Sequence, residues 1–201
     1  MLNDREVYYY SILNTYLEDV KGLIVDVGAS GFNHATAKLI RNGMRSLLIE
    51  PHPELYKNLL YEYKERSDVS IINAAVSDTE GFASFYCHEN PGLSSLEKNN
   101  FFLSETRVEN TKIHVFKLQT ILTMQCAPKM FELLKVDTEG FDYRILRCMF
   151  EESSYRPHLI MHEIQHPGAD EFIGLMKRFD YDVISDYPQY GNIIYRKWNL
   201  T

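Results

Sequence analysis

The ten residues Gly22–Gly31, GLIVDVGASG, decide the fold that this sequence predicts. The apolar run Leu23–Val27 carries one acid, Asp26, and leads into a turn of small residues, which let the main chain approach a bound molecule closely. About 20 residues further on, a second apolar run ends at Glu50, just before Pro51. An acid at the end of a second parallel strand is placed to bind the two hydroxyls of a ribose. The pattern therefore predicts the first two strands of a nucleotide-cofactor fold.

The composition predicts one globular domain over residues 1–201. Charged residues make up 24% and hydrophobic residues 45% of the sequence, which is typical of folded domains, so disorder is not expected. The net charge is −7 and there is no run of lysine or arginine. Both features argue against the phosphate backbone of a nucleic acid as the partner. A small or neutral substrate is compatible with this charge.

The cysteines and the hydropathy predict a cytoplasmic protein that does not enter a membrane. Cys87, Cys126 and Cys148 are widely separated and odd in number, as expected of free thiols in a reducing compartment. The first residues, Met1–Glu6, lack the basic start and apolar stretch of a signal peptide. No apolar segment approaches the ~20 residues that a membrane-spanning helix needs. Nothing in the sequence indicates an oligomeric state.

Strand and helix patterns alternate along the chain, which predicts an α/β fold with a mostly parallel sheet and helices on both faces. An N-terminal helix is expected within residues 1–20. The predicted strands are Leu23–Val27, Ser46–Glu50, Val69–Asn73, Leu133–Asp137 and Leu159–Glu163. The predicted later helices are His34–Asn42, Pro53–Arg66, Tyr143–Phe150 and Asp170–Phe179.

Two further pairs of strands break this alternation. Phe82–Tyr86 and Lys112–Lys117 alternate in polarity and are expected to pair antiparallel within an inserted segment, residues 82–117. Near the C-terminus, two strands flank the turn sequence Pro188–Gly191, which predicts a hairpin. Those two strands are Tyr181–Tyr187 and Asn192–Lys197.

Acidic residues stand at four predicted strand ends: Asp26, Glu50, Asp137 and Glu163. The third strand leads instead into Asn73–Asp78. Ligands of open α/β sheets bind at the carboxyl ends of the strands, near the point where the strand order reverses. We therefore expect the four acids to face one crevice, and we expect that crevice to be the functional site.

Five segments occur in the order seen in FkbM-type methyltransferases, which are S-adenosylmethionine-dependent enzymes. The segments are Leu23–Gly28, Ile49–Pro51, Asn73–Ser77, Ser94-Ser95 and Leu134–Gly140. The chain resembles this family from about Gly22 to Tyr195. The resemblance implies a Rossmann-like class I methyltransferase fold, with a seven-stranded sheet whose last strand runs antiparallel. It also implies methyl transfer to an oxygen, on a hydroxyl of a sugar or a small natural product.

The resemblance also implies roles for particular residues. The turn would hold the methionine end of the cofactor through Asp26, Gly28, Ala29, Ser30 and Gly31. Glu50, followed by Pro51, would bind the ribose hydroxyls. The adenine would lie beside Ala75, Val76 and Ser77. Asp137 would sit near the methionine amino group or the reacting centre, and the loop containing Ser94 would close over the cofactor or shape the acceptor pocket.

Two departures from the family pattern leave alternatives open. The family usually has Gly-Ala-Asn-x-Gly, whereas here Gly31 follows Ser30 directly, one position early. The family also commonly has an aspartate where this chain has Gln119. A module that binds S-adenosylmethionine without catalysis is therefore one alternative. A nicotinamide-dependent oxidoreductase is another, although no acid/base pair for hydride transfer is evident.

The segment His162–His166 matches the zinc-protease pattern His-Glu-x-x-His. That chemistry needs both histidines on one face of a helix. Here an apolar run typical of a strand leads into the motif, and Pro167 disfavours helix at the residue before it. We interpret the match as coincidental.

His162 and Glu163 could instead serve methyl transfer, together with Asp137. Either residue could take a proton from an acceptor hydroxyl. The alternative is that His162 packs in the sheet and Glu163 pairs with a basic side chain. A magnesium ion held by Asp137, His162, Glu163 or His166 is a further alternative, which we do not favour; no metal ligand is assigned.

Glu139 lies at a predicted turn between a strand and a helix. It could orient Lys135, cap the next helix near its positive end, or take part in catalysis. The polar loop His88–Asn110 is the expected source of acceptor specificity, because long loops above a rigid scaffold often carry function. A solvated surface loop is the competing interpretation.

Overall fold

The computed structural model describes residues 4–17, 20–30, 36–98, 109–163, 169–187 and 192–197. The strands are β1 Leu23–Val27, β2 Arg45–Ile49, β3 Val69–Ile72, β4 Ala75–Ser77, β5 Gly81–Cys87, β6 Glu109–Lys117, β7 Leu133–Val136, β8 Leu159–Glu163, β9 Tyr181–Tyr187 and β10 Asn192–Lys197. The helices are α1 Asp4–Leu17, α2 Ala37–Arg41, α3 Pro53–Glu62, α4 Leu118–Met124, α5 Asp142–Glu152 and α6 Ala169–Arg178, with a short 3₁₀ helix at Pro91–Leu93.

Seven strands form the main sheet, in the order β3-β2-β1-β7-β8-β10-β9. The pairs from β3 to β8 are parallel, and β10 runs antiparallel to both β8 and β9. The predicted mostly parallel sheet with an antiparallel C-terminal hairpin is confirmed. The turn predicted at Pro188–Gly191 lies outside the described residues.

The strand order reverses between β1 and β7. The chain builds β1, β2 and β3 towards one edge and later adds β7 and β8 on the other side of β1. Helices that follow neighbouring strands leave in opposite directions at such a point, which opens a crevice at the carboxyl ends of those strands. The crevice here therefore lies beyond Val27 and Val136, which are register partners.

Strands β4, β6 and β5 form a separate three-stranded sheet. Within it β5 and β6 pair antiparallel, with Phe82 opposite His114, as the sequence predicts. The predicted strand Val69–Asn73 is too long by one residue, because the Asn73 side chain leaves the sheet. Its amide donates to the main-chain oxygens of Glu50 at 2.8 Å and Pro51 at 3.1 Å. The next residues, in β4, then join the second sheet.

Hydrophobic side chains pack on both faces of the main sheet, so two helical layers enclose it. Neighbouring residues of a strand point to opposite faces. Val25 and Val27 belong to the core under α4, α5 and α6, whereas Ile24 belongs to the core under α1, α2 and α3. The predicted helices are thus present on both faces. Among the described helices, none has the length and apolar character needed to cross a membrane.

Candidate active site

A cavity opens at the carboxyl ends of β1, β2 and β7. The predicted cofactor-binding residues that line it are Gly28, Ser30, Glu50, Pro51, Ala75, Val76, Ser94 and Asp137. Of the remaining predicted residues, Asp26, Ala29 and Ser77 are buried beside the cavity without lining it, and Gly31 lies outside the described residues.

The turn after β1 is held tightly between two strand ends. The main-chain N–H groups of Gly28 and Ala29 both donate to the Ile49 carbonyl oxygen, at 2.9 and 3.2 Å. Gly28 has a φ of 74° and Ser30 a φ of 58°. A Cβ atom on Gly28 would overlap the carbonyl oxygen of Asp137. Glycine is required at position 28 for both its positive φ and this close approach.

Glu50 is buried at the floor of the cavity with both carboxyl oxygens engaged. One oxygen accepts the Ser30 N–H at 2.7 Å, and the other accepts the His52 N–H, also at 2.7 Å. Burial raises the pKa of Glu50 to about 7, although these two hydrogen bonds and the positive charge of Lys135 act in the opposite direction. Glu50 thus ties the turn after β1 to the end of β2.

Neither Asp26 nor Glu163 lines the cavity, which corrects the prediction that four acids would face it. Asp26 is fully buried, and its carboxylate accepts from Thr36 Oγ1 at 2.5 Å and from Lys135 Nζ at 3.2 Å. The buried Lys135 ammonium requires such a counter-ion. The same Nζ also donates to the Gly28 carbonyl oxygen at 3.2 Å and lies 3.4 Å from Asp137 Oδ2. The buried pair of Asp26 and Lys135 therefore holds the turn after β1 through the Gly28 carbonyl oxygen.

Three carboxylates lie together beyond the ends of β7 and β8, and two of them, Asp137 and Glu139, line the cavity. Asp137, Glu139 and Glu163 each offer an oxygen within 4.8 Å of the others. Carboxylate oxygens suit hard cations such as Mg²⁺. Acidic groups at such spacings are also common without an ion, and we assign no metal ligand among them.

Asp142 fixes the main chain around this acidic group. Its buried carboxylate accepts from the Thr138 N–H at 2.9 Å, from Thr138 Oγ1 at 2.5 Å and from the Glu163 N–H at 3.3 Å. Burial and the nearby charge of Asp137 raise the pKa of Asp142 to about 7. Burial, together with the charges of Glu163, Asp137 and Asp142, raises the pKa of Glu139 to about 8. This part of the cavity is therefore suited to binding or releasing protons near neutral pH.

His162 is buried in the core rather than at the cavity. Its Nδ1 lies 2.7 Å from the Glu163 carbonyl oxygen and its Nε2 lies 3.2 Å from the Tyr195 hydroxyl. The ring stacks on Phe172 with centroids 3.9 Å apart. Burial lowers the pKa of His162 to about 4. This placement fits the alternative that His162 packs in the sheet, and it does not bring the imidazole to a reacting group.

The zinc-protease pattern has no helical geometry at its first two residues. His162 and Glu163 are both in strand β8, where successive side chains point to opposite faces. His166 lies outside the described residues. The strand conformation is consistent with a coincidental match.

The segment after β5 closes one side of the cavity. Ser95 exchanges two main-chain hydrogen bonds with Tyr86, at 2.8 and 3.1 Å, and its Oγ donates to the Glu139 carbonyl oxygen at 2.8 Å. Its neighbour Ser94 lines the cavity and accepts the His88 N–H through Oγ at 3.0 Å. The predicted loop thus reaches from the small sheet to the end of β7.

Several residues that line the cavity were not predicted from the sequence. One departure from the family pattern, Gln119, lies away from the cavity. Phe85, Leu96, Thr138 and Phe141 also line the cavity, and Thr138 lies in a segment already noted for its resemblance. Gln119 instead lies on α4, where its amide donates to Cys148 Sγ at 3.3 Å and to a Glu152 oxygen at 3.2 Å. The change at this position therefore does not alter the lining of the cavity.

The sequence matches the methyltransferase FkbM domain over residues 26–183, which is more than half of the chain. The chain belongs to the FkbM methyltransferase family. The matched range begins within β1 and ends within β9, so it includes the residues that line the cavity. No curated protein sequence matches this member of the family.

Solved structures of methyltransferases share the fold of this FkbM-family chain. The METTL16 methyltransferase domain aligns with a TM-score of 0.55 and 8% identity, covering 96% of this chain and 66% of that one. Precorrin-6y C5,15-methyltransferase from Geobacter metallireducens aligns with a TM-score of 0.53 and 10% identity, covering 98% of this chain and 90% of that one. Ribosomal protein L11 methylase from Lactobacillus delbrueckii subsp. bulgaricus aligns with a TM-score of 0.51 and 9% identity, and the alignment covers 98% of this chain and 81% of that one. At this identity the likeness establishes the fold.

Proposed function

We propose that this FkbM-family protein transfers a methyl group from S-adenosylmethionine to a hydroxyl oxygen of a sugar or a small natural product. The observation that carries the proposal is that the Gly28 turn and Glu50 line one cavity at the reversal of strand order. The net charge of −7 supports an acceptor other than a nucleic acid.

The lining residues fit the parts of this cofactor. Gly28 and Ser30 line the cavity in a turn of small residues, which lets the main chain lie close to the methionine end. The two oxygens of Glu50 suit the paired hydroxyls of a ribose. Ala75, Val76 and Phe85 supply an apolar wall beside which an adenine would lie.

When bound, the cofactor supplies a methyl group on a positively charged sulfur, which is already a strong electrophile. The residues of the cavity then have to align the acceptor oxygen with that methyl group, and alignment alone can supply a large part of the rate. Of the predicted catalytic residues, Asp137 lines the cavity and Glu163 lies beside it. Either carboxylate could accept a proton from the acceptor.

Calorimetric titration tests the cofactor assignment. We expect wild-type protein to bind S-adenosylmethionine but not NAD, and Glu50→Ala to lose most of that binding. Glu151→Ala is the matched control, because Glu151 is a half-exposed acid that pairs with Arg178 on the surface. Folded wild-type protein that binds NAD instead would favour the oxidoreductase alternative. If folded wild-type protein binds neither ligand, the proposal is overturned.

A screen for the acceptor tests the second half of the proposal. S-adenosylhomocysteine formation is measured with panels of sugars, phenols and aliphatic alcohols, beside amines of matched size. Turnover with a hydroxyl compound is the expected result. Turnover with amines alone would overturn the assignment to oxygen, and tight binding without turnover on any compound would support the non-catalytic alternative.

A further inference from the structure

Glu139 lines the cavity, yet the predicted catalytic residues do not include it. Two elements fix its position. Its main chain, with a φ of 55°, directly follows Thr138, which Asp142 anchors. From the other side, Ser95 Oγ donates to its carbonyl oxygen at 2.8 Å. The carboxyl group is therefore carried by a fixed main chain at the edge of the site.

The charged groups around Glu139 are mostly acids. Asp137 comes from its own loop, Glu163 from β8 and Asp142 from α5. A Cβ on Gly140 would lie 3.0 Å from a carboxyl oxygen of Glu97, so this acid approaches from the loop after β5. A positive group that acts on Glu139 is Lys135 on β7, whose Nζ lies 3.2 Å from Asp26 and 3.4 Å from Asp137.

These surroundings make the charge on Glu139 depend on what fills the cavity. Acids that crowd together in a partly buried place cannot all stay ionised, so one of them holds a proton. A cation placed among them removes that constraint, because it favours the ionised form of each carboxyl group. The sulfonium of S-adenosylmethionine is such a cation, and the sulfur of S-adenosylhomocysteine is neutral.

We propose that Glu139 gives up its proton when the sulfonium enters the cavity and then takes the proton of the acceptor hydroxyl during transfer. This inference rests on the proposed function. The acceptor oxygen attacks the methyl carbon and forms the new C–O bond. The C–S bond breaks, and its electron pair remains on sulfur. The O–H proton passes to the Glu139 carboxylate, so the positive and negative charges in the cavity disappear together.

Two of the predicted catalytic residues are less suited to this role. Asp137 already forms an ion pair with Lys135 at 3.4 Å. His162 is enclosed between Phe172 and Tyr195 in the core. Burial and the neighbouring acids raise the pKa of Glu139 to about 8, so Glu139 has a proton to give up at pH 7 before the sulfonium enters.

Proton release on binding tests the inference without a known acceptor. S-adenosylmethionine and S-adenosylhomocysteine are titrated by calorimetry at pH 7.0, in two buffers of different ionisation enthalpy, with EDTA present throughout. The two ligands share the amino, carboxyl, ribose and adenine groups, so their difference reports on the methyl group and its charge. We expect wild-type protein to release most of one proton with S-adenosylmethionine and almost none with S-adenosylhomocysteine.

Variants assign the released proton to a residue. Glu139→Gln should bind S-adenosylmethionine without releasing a proton, whereas Glu139→Asp should restore part of the release. Glu151→Gln, on the surface, should behave as wild type. Urea unfolding verifies that each variant is folded. Equal release from wild type and Glu139→Gln, or equal release with both ligands, would overturn this inference alone. Failure of S-adenosylmethionine to bind folded wild-type protein would overturn the proposed function as well.

Discussion

Gly28 lies directly against the main-chain carbonyl oxygen of Asp137, with no room between them for a side chain. The contact joins the turn after β1 to the loop after β7, the two strands between which the strand order reverses. The crevice of the site is therefore closed at its base by main chain packed on main chain. Its shape depends on position 28 more than on any exposed side chain of the turn.

Gly28→Ala should destabilise the protein and abolish binding of S-adenosylmethionine. Alanine pays at least about 1 kcal/mol for a left-handed φ, and its Cβ would in addition push the Asp137 carbonyl out of place. Urea unfolding measures the loss of stability, and calorimetry measures the loss of binding.

Gly174→Ala is the control for this substitution. Gly174 is exposed in the middle of α6, and a Cβ there meets no atom within 4 Å. Replacing glycine by alanine inside a helix should stabilise the protein by about 0.5–1 kcal/mol. Binding of S-adenosylmethionine should not change. Equal effects at the two glycines would contradict the role assigned to Gly28.

Lys135→Met should lower the free energy of unfolding by about 3–5 kcal/mol, because it leaves the Asp26 carboxylate buried without its cation. The double substitution Asp26→Asn with Lys135→Met removes both charges and should recover part of the loss. Urea unfolding of the four proteins forms a double-mutant cycle. Lys117→Met is the control, since its ion pair with Glu152 is at the surface and should contribute little. Additive losses from the two single substitutions would contradict the pairing.

His162 should make the protein less stable in acid. Its folded pKa of about 4 is below the ordinary value of 6.5, so the unfolded chain binds more protons between these values. The free energy of unfolding therefore falls as the pH drops, by about 2 kcal/mol between pH 7 and pH 5 from this residue. The raised pKa values of Glu50, Glu139 and Asp142 act in the opposite sense, so the comparison is made between wild type and a variant.

His162→Gln provides that comparison, because it keeps an amide donor and acceptor but does not titrate. Urea unfolding at several pH values should show a smaller loss in acid for the variant than for wild type. Parallel curves would mean that His162 titrates normally, which its enclosure between two rings argues against.

Ser95→Ala should weaken binding of S-adenosylmethionine by about five-fold. The substitution removes the hydrogen bond from Ser95 Oγ to the Glu139 carbonyl oxygen, and one such bond is worth about 1 kcal/mol. The loop that closes one side of the cavity then loses its attachment to the end of β7. Ser84→Ala, at an exposed position of β5, should leave the affinity unchanged. Calorimetry measures the affinity of both variants for S-adenosylmethionine. An unchanged affinity in Ser95→Ala would show that this hydrogen bond does not matter for binding.

The fold could be predicted from sequence because its strands are short apolar runs whose ends carry recognisable residues. Leu23–Val27 was predicted with the bounds that the structure has. The run at Val69 was less well predicted, because Asn73 looks like the last residue of a strand. Its side chain instead caps the main chain after β2, a contact between segments that local sequence does not reveal.

The direction in which a side chain points at a strand end also cannot be predicted from local sequence. Asp26 and Glu50 look alike in their apolar runs, yet only Glu50 reaches the cavity. The partner of Asp26 is Lys135, which is 109 positions away along the chain. Glu139 shows the converse case. Its place in the sequence allowed a cap, a partner for Lys135 or a catalytic group, and its proximity to Glu163 on another strand could not be predicted from local sequence.

The position of β10 has a consequence for truncation. This strand is inserted between β8 and β9, and among the described strands β9 pairs with β10 alone. A chain shortened to end before Asn192 would therefore lose two strands from the main sheet. It would also expose the edge of β8, the strand that carries Glu163. Shortening the protein from this end would consequently disturb the strand beside the acidic group of the cavity, even though none of residues 192–197, the described part of the removed segment, lines the cavity.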